Sequence, residues 1–136
     1  MDWTSFIQEL KKLSARIDYR PDIVVGIARG GVIPARLLAT ELNIDTMYFL
    51  TVRKQGDQRR VVTEVLDDLV DRNILLVEDA LETGKSLIAA KEYLIAKGAR
   101  VKTACLYYTP ASIIIPDFYL EKVDKLPRFP WEQQTF

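Results

Sequence analysis

Apolar residues along the chain follow two patterns, and the patterns take turns. In the first, short runs are apolar without alternation: Asp22 to Ile27 follows the break at Arg20-Pro21, and Ile74 to Val77 lies between Asn73 and a pair of acids. Such runs predict strands buried on both faces, as in a parallel sheet. Thr46 to Val52 and Val101 to Tyr108 predict two further strands, and Val61 to Leu66 has the make-up of a returning one. In the second pattern, apolar residues recur at helical spacing. Phe6, Ile7, Leu10 and Leu13 form a stripe behind Thr4 as cap and Trp3 as staple. Val32 to Leu42 resumes the pattern after Gly30-Gly31, with Pro34 tolerable in its first turn. Leu87, Ile88, Tyr93, Leu94 and Ile95 carry a third helix to about Lys97, where Gly98 suits a C-terminal cap.

Strands alternating with helices predict an α/β fold with a parallel sheet and right-handed crossovers. From Thr109 the periodicity stops, and Pro110, Pro116, Pro127 and Pro130 punctuate short aromatic and apolar pieces. The reading is a single domain over residues 1–136, with a core at about 14–108 and a small irregular cap at about 109–136. A polar, glycine-containing stretch at about 53–61, with Arg53, Lys54, Arg59 and Arg60, is long enough to close over the ligand edge of the sheet.

Composition narrows the chemistry. Acids and bases balance at 19 each, so bulk charge argues for neither nucleic acid nor an anionic membrane as partner. No long uncharged apolar run predicts a membrane span, and the expected location is the cytoplasm, where the lone Cys105 stays a buried thiol. The chain has no histidine, so any general base is Asp, Glu, Lys or Tyr.

Chemistry concentrates between Ile74 and Leu87. The buried run ends in Glu78-Asp79, Glu82 follows, and Thr83-Gly84-Lys85-Ser86 turns into a helical pattern. Acids at a strand's carboxyl end stand where open α/β sheets bind ligands, and free amides at a helix start suit a phosphate. Gly84-Lys85-Ser86 is not a P-loop, because the position of that motif's first glycine is Asp79.

Residues 77–86, Val-Glu-Asp-Ala-Leu-Glu-Thr-Gly-Lys-Ser, resemble the signature of type I phosphoribosyltransferases, which bind 5-phosphoribosyl 1-pyrophosphate (PRPP). Residues 27–39, Ile-Ala-Arg-Gly-Gly-Val-Ile-Pro-Ala-Arg-Leu-Leu-Ala, resemble the pyrophosphate loop of the xanthine–guanine and hypoxanthine branch. Gln58-Arg59 and the Phe129 to Glu132 segment resemble that branch's lid and C-terminal hood. The resemblance implies the parallel-sheet phosphoribosyltransferase fold, with flanking helices, a mobile lid loop and a small hood. It implies transfer of the phosphoribosyl group of PRPP to a nucleobase, of 6-oxopurine type, with Mg²⁺ as cofactor and release of pyrophosphate. Ala80, Leu81, Thr83, Gly84, Lys85 and Ser86 would take the 5-phosphate, Glu78 and Asp79 the ribose hydroxyls, with Asp79 also at the metal. Arg29 and Gly30 would face pyrophosphate, with a strained or cis peptide near Arg29, and Arg59 would act from the lid. Such folds commonly pair, which implies a homo-oligomer, dimer or tetramer.

The base side departs from the family pattern. Glu82 stands where purine-using members carry the aspartate that manages the imidazole proton, Thr109 where they carry a lysine, and Leu126 where they carry the stacking aromatic. Thr109, Leu126, Phe129 and Glu132 are the candidate base pocket. The phosphate side is intact, so PRPP or a nucleoside monophosphate is the firmer ligand. Two functions follow: a purine-type phosphoribosyltransferase, with Glu82 and Arg59 catalytic, or a non-catalytic PRPP or nucleotide-binding regulator on the same fold.

Overall fold

The computed structural model describes residues 1–133. In chain order the elements are α1 (Trp3–Arg16), β1 (Ile23–Ala28), α2 (Val32–Glu41), β2 (Met47–Gln55), β3 (Gln58–Val61), β4 (Asn73–Val77), β5 (Ala80–Leu81), α3 (Lys85–Ala96), β6 (Arg100–Ala104), β7 (Tyr107–Tyr108) and β8 (Glu121–Lys122). A 3-10 turn at Pro130–Glu132 closes the described chain. The main sheet runs β3-β2-β1-β4-β6, parallel except for the β2–β3 hairpin, and a small second sheet runs β5-β7-β8. This is the parallel α/β architecture that the alternating patterns predict.

Burial on both faces follows from the strand repeat. Side chains alternate across a strand, so a run apolar at every position feeds two cores. In β4, Ile74 and Leu76 pack with Val25, Ile27, Leu87 and Leu94 on the α3 side. Leu75 and Val77 pack with Phe6, Leu10, Leu38 and Val24 on the side of α1 and α2.

Three elements differ from the sequence reading, each because a side chain or a neighbouring backbone takes over a hydrogen bond. Helix α1 is capped by Asp2, whose carboxylate accepts the Ser5 N–H at 2.7 Å, so Thr4 lies inside the helix. Residues 62–66 do not return as a strand: Thr63 Oγ1 accepts the Thr51 N–H at 2.9 Å, and the chain peels away to bury Val65 beside Tyr93. The run from Val101 to Tyr108 splits into β6 and β7. Between them, Cys105 N–H donates to the Phe118 carbonyl and Leu106 N–H to the Asp79 carbonyl, which carries the strand from one sheet to the other.

The C-terminal segment is joined to the core rather than laid over it. Phe129 is buried with Tyr107 and Leu106 in the α1-side cluster. Phe6 meets the Trp131 ring edge-on at 4.8 Å and the Trp3 ring at 6.2 Å. Phe6→Ala is therefore expected to cost about 3–5 kcal/mol in urea unfolding. It should also shift tryptophan emission to the red while the chain is still folded, since both indoles lean on that ring. Unchanged emission would mean that the hood holds Trp131 without α1.

Candidate functional site

The site is assembled by neighbouring strands ending at one edge. β1 and β4 pair in parallel with Gly26 opposite Val77, so the turn Arg29-Gly30-Gly31 and the acids Glu78-Asp79 leave the sheet side by side. A Cβ on Gly30 would lie 2.5 Å from Asp79 Oδ2, and one on Gly31 2.5 Å from the Val77 carbonyl oxygen. Only glycine allows this approach. The Ala28–Arg29 peptide is cis, which agrees with the expectation for this turn. The Arg29 side chain is exposed at the mouth.

The acids are set back from water. Burial, and then the charge of Asp79, pushes the Glu78 carboxyl up to about 8. Burial also raises Asp79, to about 6; the Ala80 N–H, accepted at 2.7 Å, pulls it down, Glu132 pushes it up, and the Trp131 side chain pulls it down. Among the described residues the ion pairs are Lys12–Glu9 and Arg100–Asp71, so these acids have no cationic side-chain partner. No group of three or more Asp, Glu, Cys or His is arranged among the described residues to enclose a metal. Two adjacent half-buried carboxyls without a counter-cation nonetheless suit Mg²⁺, which takes one or two carboxylates and completes its shell with water and substrate oxygens.

Beyond the acids, Ala80-Leu81 forms β5 and the chain turns through Glu82, Thr83 and Gly84 into α3. Gly84 has φ 77°, and a Cβ there would meet Ile114 Cγ2 and Ser112 Oγ at 2.7 Å. Glu82 and Thr83 are exposed, and Thr83 Oγ1 accepts the Lys85 N–H only at a long 3.4 Å. Lys85 and Ser86 open the helix, whose first amides have no intrahelical acceptor.

A cleft of ≈ 760 Å³ lies along this edge, lined by Arg29, Gly30, Val32, Ile33, Asp79, Trp131 and Glu132. Of the candidate base-pocket residues, only Glu132 reaches it. Its Oε1 also accepts the Phe129 N–H at 2.9 Å. Phe129 is itself closed off, stacked on Trp131 at 4.9 Å and on Tyr107 at 6.2 Å. It supports the cleft wall, and Trp131 forms it. Leu126 is half-buried in the α1-side cluster. Thr109 is buried, and its hydroxyl donates to the Glu82 carbonyl at 2.9 Å, so it offers no free group to a base. Arg59 lies elsewhere, half-buried in a separate depression of ≈ 340 Å³ with Lys85, Ile88, Glu92 and Ile113. The polar stretch that carries it is a β-hairpin turning at Gly56-Asp57, not an irregular loop. The contributions of Val32, Ile33 and Ser112 could not be singled out in the sequence. The first two read as the opening of an amphipathic helix, and Ser112 as a loop residue.

A mostly parallel sheet with a glycine turn, an acid pair and a helix-opening turn along one edge has the arrangement at which open α/β sheets bind small molecules. The family model for the phosphoribosyl transferase domain matches residues 2–136, and the chain belongs to that family. Some of its relatives lie on the purine-using branch. A xanthine-guanine phosphoribosyltransferase of Cereibacter sphaeroides is 29% identical over 97% of this chain and 85% of its own length. A crystal structure of a purine phosphoribosyltransferase from Pyrococcus horikoshii superposes with a TM-score of 0.91 at 30% identity, covering 100% of this chain and 94% of that one. A ribose-phosphate pyrophosphokinase of Haemophilus ducreyi is 37% identical over 57% of this chain, and the match spans 25% of that relative's length.

The raised acids predict an unusual pH dependence. In the folded chain, Glu78 and Asp79 hold protons up to about 8 and about 6, which the unfolded chain releases near the ordinary carboxylate range. The folded state therefore binds more protons, and stability without ligand falls as pH rises from about 4 through about 8. Glu78→Gln should flatten this fall and raise Tm at the alkaline end, read by thermal unfolding across that range. An unaltered slope in the variant would assign the titration to other groups.

Proposed function

We propose that this protein is a Mg²⁺-dependent phosphoribosyltransferase that joins the 5-phosphoribosyl group of PRPP to a purine of 6-oxo type and releases pyrophosphate. The observation that carries the reading is the order of features along one edge. Amides and hydroxyls from Leu81 to Ser86 stand at one end, Glu78-Asp79 in the middle, and Arg29-Gly30 against Asp79 at the other. PRPP presents a 5-phosphate, ribose hydroxyls and a pyrophosphate in that sequence. In the reaction the bond from ribose C1 to the pyrophosphate oxygen breaks, a bond from C1 to a base nitrogen forms, and the base gives up the proton that nitrogen carried. The transition state carries positive charge on the ribose, so the protein's part is to hold the nucleophile in line and receive the leaving anion.

Each group has a task in this scheme. Glu78 and Asp79 accept from the ribose hydroxyls, and Asp79 would also hold Mg²⁺, which when bound supplies neutralising charge to the pyrophosphate. Arg29 and the Gly30 N–H receive the leaving group. Glu82, exposed beside the nest and outside the lining of the cleft, is assigned to accept the base proton. The base lies in the cleft between Val32-Ile33 and Trp131, whose volume is in the range of small-molecule sites. Arg59 shares its depression with Lys85 of the nest and would act on the phosphates from the hairpin. A second copy of the chain completes the functional unit, as a dimer or tetramer working in the cytoplasm. Among the described residues, no helix is long and apolar enough to cross a membrane.

The test is a panel of nucleobases with PRPP and Mg²⁺, followed by pyrophosphate release. Release with a 6-oxopurine is expected, falling about 10²-fold or more in Glu82→Ala, the usual scale for loss of a general base. PRPP binding without turnover for any base would instead support the regulator. Asp79→Ala should weaken Mg²⁺-PRPP binding about tenfold or more, at least ~1.4 kcal/mol. Undiminished affinity in calorimetry would move the ribose site elsewhere.

A further inference from the structure

The residues that would cradle the 5-phosphate are aimed from outside the nest. Three consecutive carbonyls of the turn are tied to the segment that follows β7. Leu81 C=O accepts the Thr109 N–H at 3.0 Å, Glu82 C=O accepts the Thr109 hydroxyl at 2.9 Å, and Thr83 C=O accepts the Ile113 N–H at 2.9 Å. A trans peptide is planar, with its C=O and N–H pointing opposite ways. Fixing these carbonyls on one side therefore turns the N–H groups of Glu82, Thr83 and Gly84 to the other. No hydrogen bond described within residues 1–133 uses those three N–H groups as donors. Ser112 Oγ and Ile114 also pack against Gly84, where a Cβ would meet both at 2.7 Å. Ser112 is itself held, its hydroxyl donating to the Ile114 carbonyl at 2.7 Å.

We infer that Thr109 is a positioning residue for the phosphate nest: its backbone and side chain together set the direction of the turn's amides. This deepens the proposed function and rests on it. The segment's other two ties are backbone or packing contacts, so the Thr109 hydroxyl is the one side-chain hydrogen bond that orients a nest peptide from the far side. Without it, the peptide between Glu82 and Thr83 can rotate, and its carbonyl then competes with the amides for the space of an anion. An anion held by backbone N–H groups depends on their convergence. The hydroxyl touches no base-facing surface, so its loss bears on the sugar phosphate and not on the base.

The experiment compares Thr109→Val, which keeps the shape and removes the hydroxyl, with Thr109→Ser, which restores it. Calorimetry with Mg²⁺-PRPP and with ribose 5-phosphate should show about tenfold weaker binding of both in Thr109→Val and recovery in Thr109→Ser. The KM for the base should be unchanged in all three proteins. A general loss of structure would not produce that split, and thermal unfolding of both variants identifies it. Equal affinity of wild type and a folded Thr109→Val for both phosphates would overturn the inference. A change confined to the base KM would also overturn it, returning Thr109 to the base pocket. Failure of the wild-type protein itself to bind PRPP would overturn the functional reading beneath it.

Discussion

The site depends on one steric constraint, the contact of Gly30 with Asp79. Parallel pairing of β1 with β4 in the register Gly26–Val77 brings two chain ends out together, and no side chain fits between them. Gly31, resting on the Val77 carbonyl, sets the start of α2 by the same lack of room. A shift of register would separate the glycine turn from the acids and reverse which of β4's side chains face each core. The sheet's apolar packing thus fixes the distance between groups that it does not itself contain.

The second sheet extends this control to the other end of the site. The chain leaves β6 at Cys105 and, through Leu106 N–H on the Asp79 carbonyl, runs beside β5 as β7. The acids are thereby held between a strand behind them and a strand beyond them. The 109–114 segment continues from β7 and reaches the turn before α3, while the hood's Trp131, backed by Phe129, forms the cleft wall near Arg29. Segments remote in sequence meet the site through backbone hydrogen bonds, the Thr109 hydroxyl and stacked rings, whose partners no local pattern names.

That is why the sequence reveals the site unevenly. The two-sided strands, the helices after glycine turns, and the grouping of Glu78, Asp79, Thr83 to Ser86, Arg29 and Gly30 are legible because each rests on local pattern or on a motif. Asp2 as cap could have been weighed from its spacing to Ser5, since Asp and Thr both serve at that position. Thr109 and Phe129 could not be read this way. Each lies at a position that a resemblance assigns to the base, and in each the side chain turns instead to a partner set by tertiary packing: the Glu82 carbonyl, or the rings of Trp131 and Tyr107. Identity at a position carries less than the direction of its side chain, and direction depends on contacts distant in the chain.

The β2–β3 hairpin shows a different division between pattern and structure. Its composition reads as a polar loop, yet it forms a ladder, with Val52 opposite Val61 at the root and Gln55 opposite Gln58 at the turn. Between them Arg53 faces Arg60 and Lys54 faces Arg59. Like charges directly opposite weaken a strand pair, and among the described residues no acid forms an ion pair with any of the four. The ribbon is therefore held by its apolar root and opposed by its own cations toward the tip. Self-repelling charge at an exposed tip lowers the local stability of that end of the ribbon. An anion beside these cations would offset that repulsion. The same four cations that make the stretch look unstructured in sequence are what would tie its position to an anionic ligand.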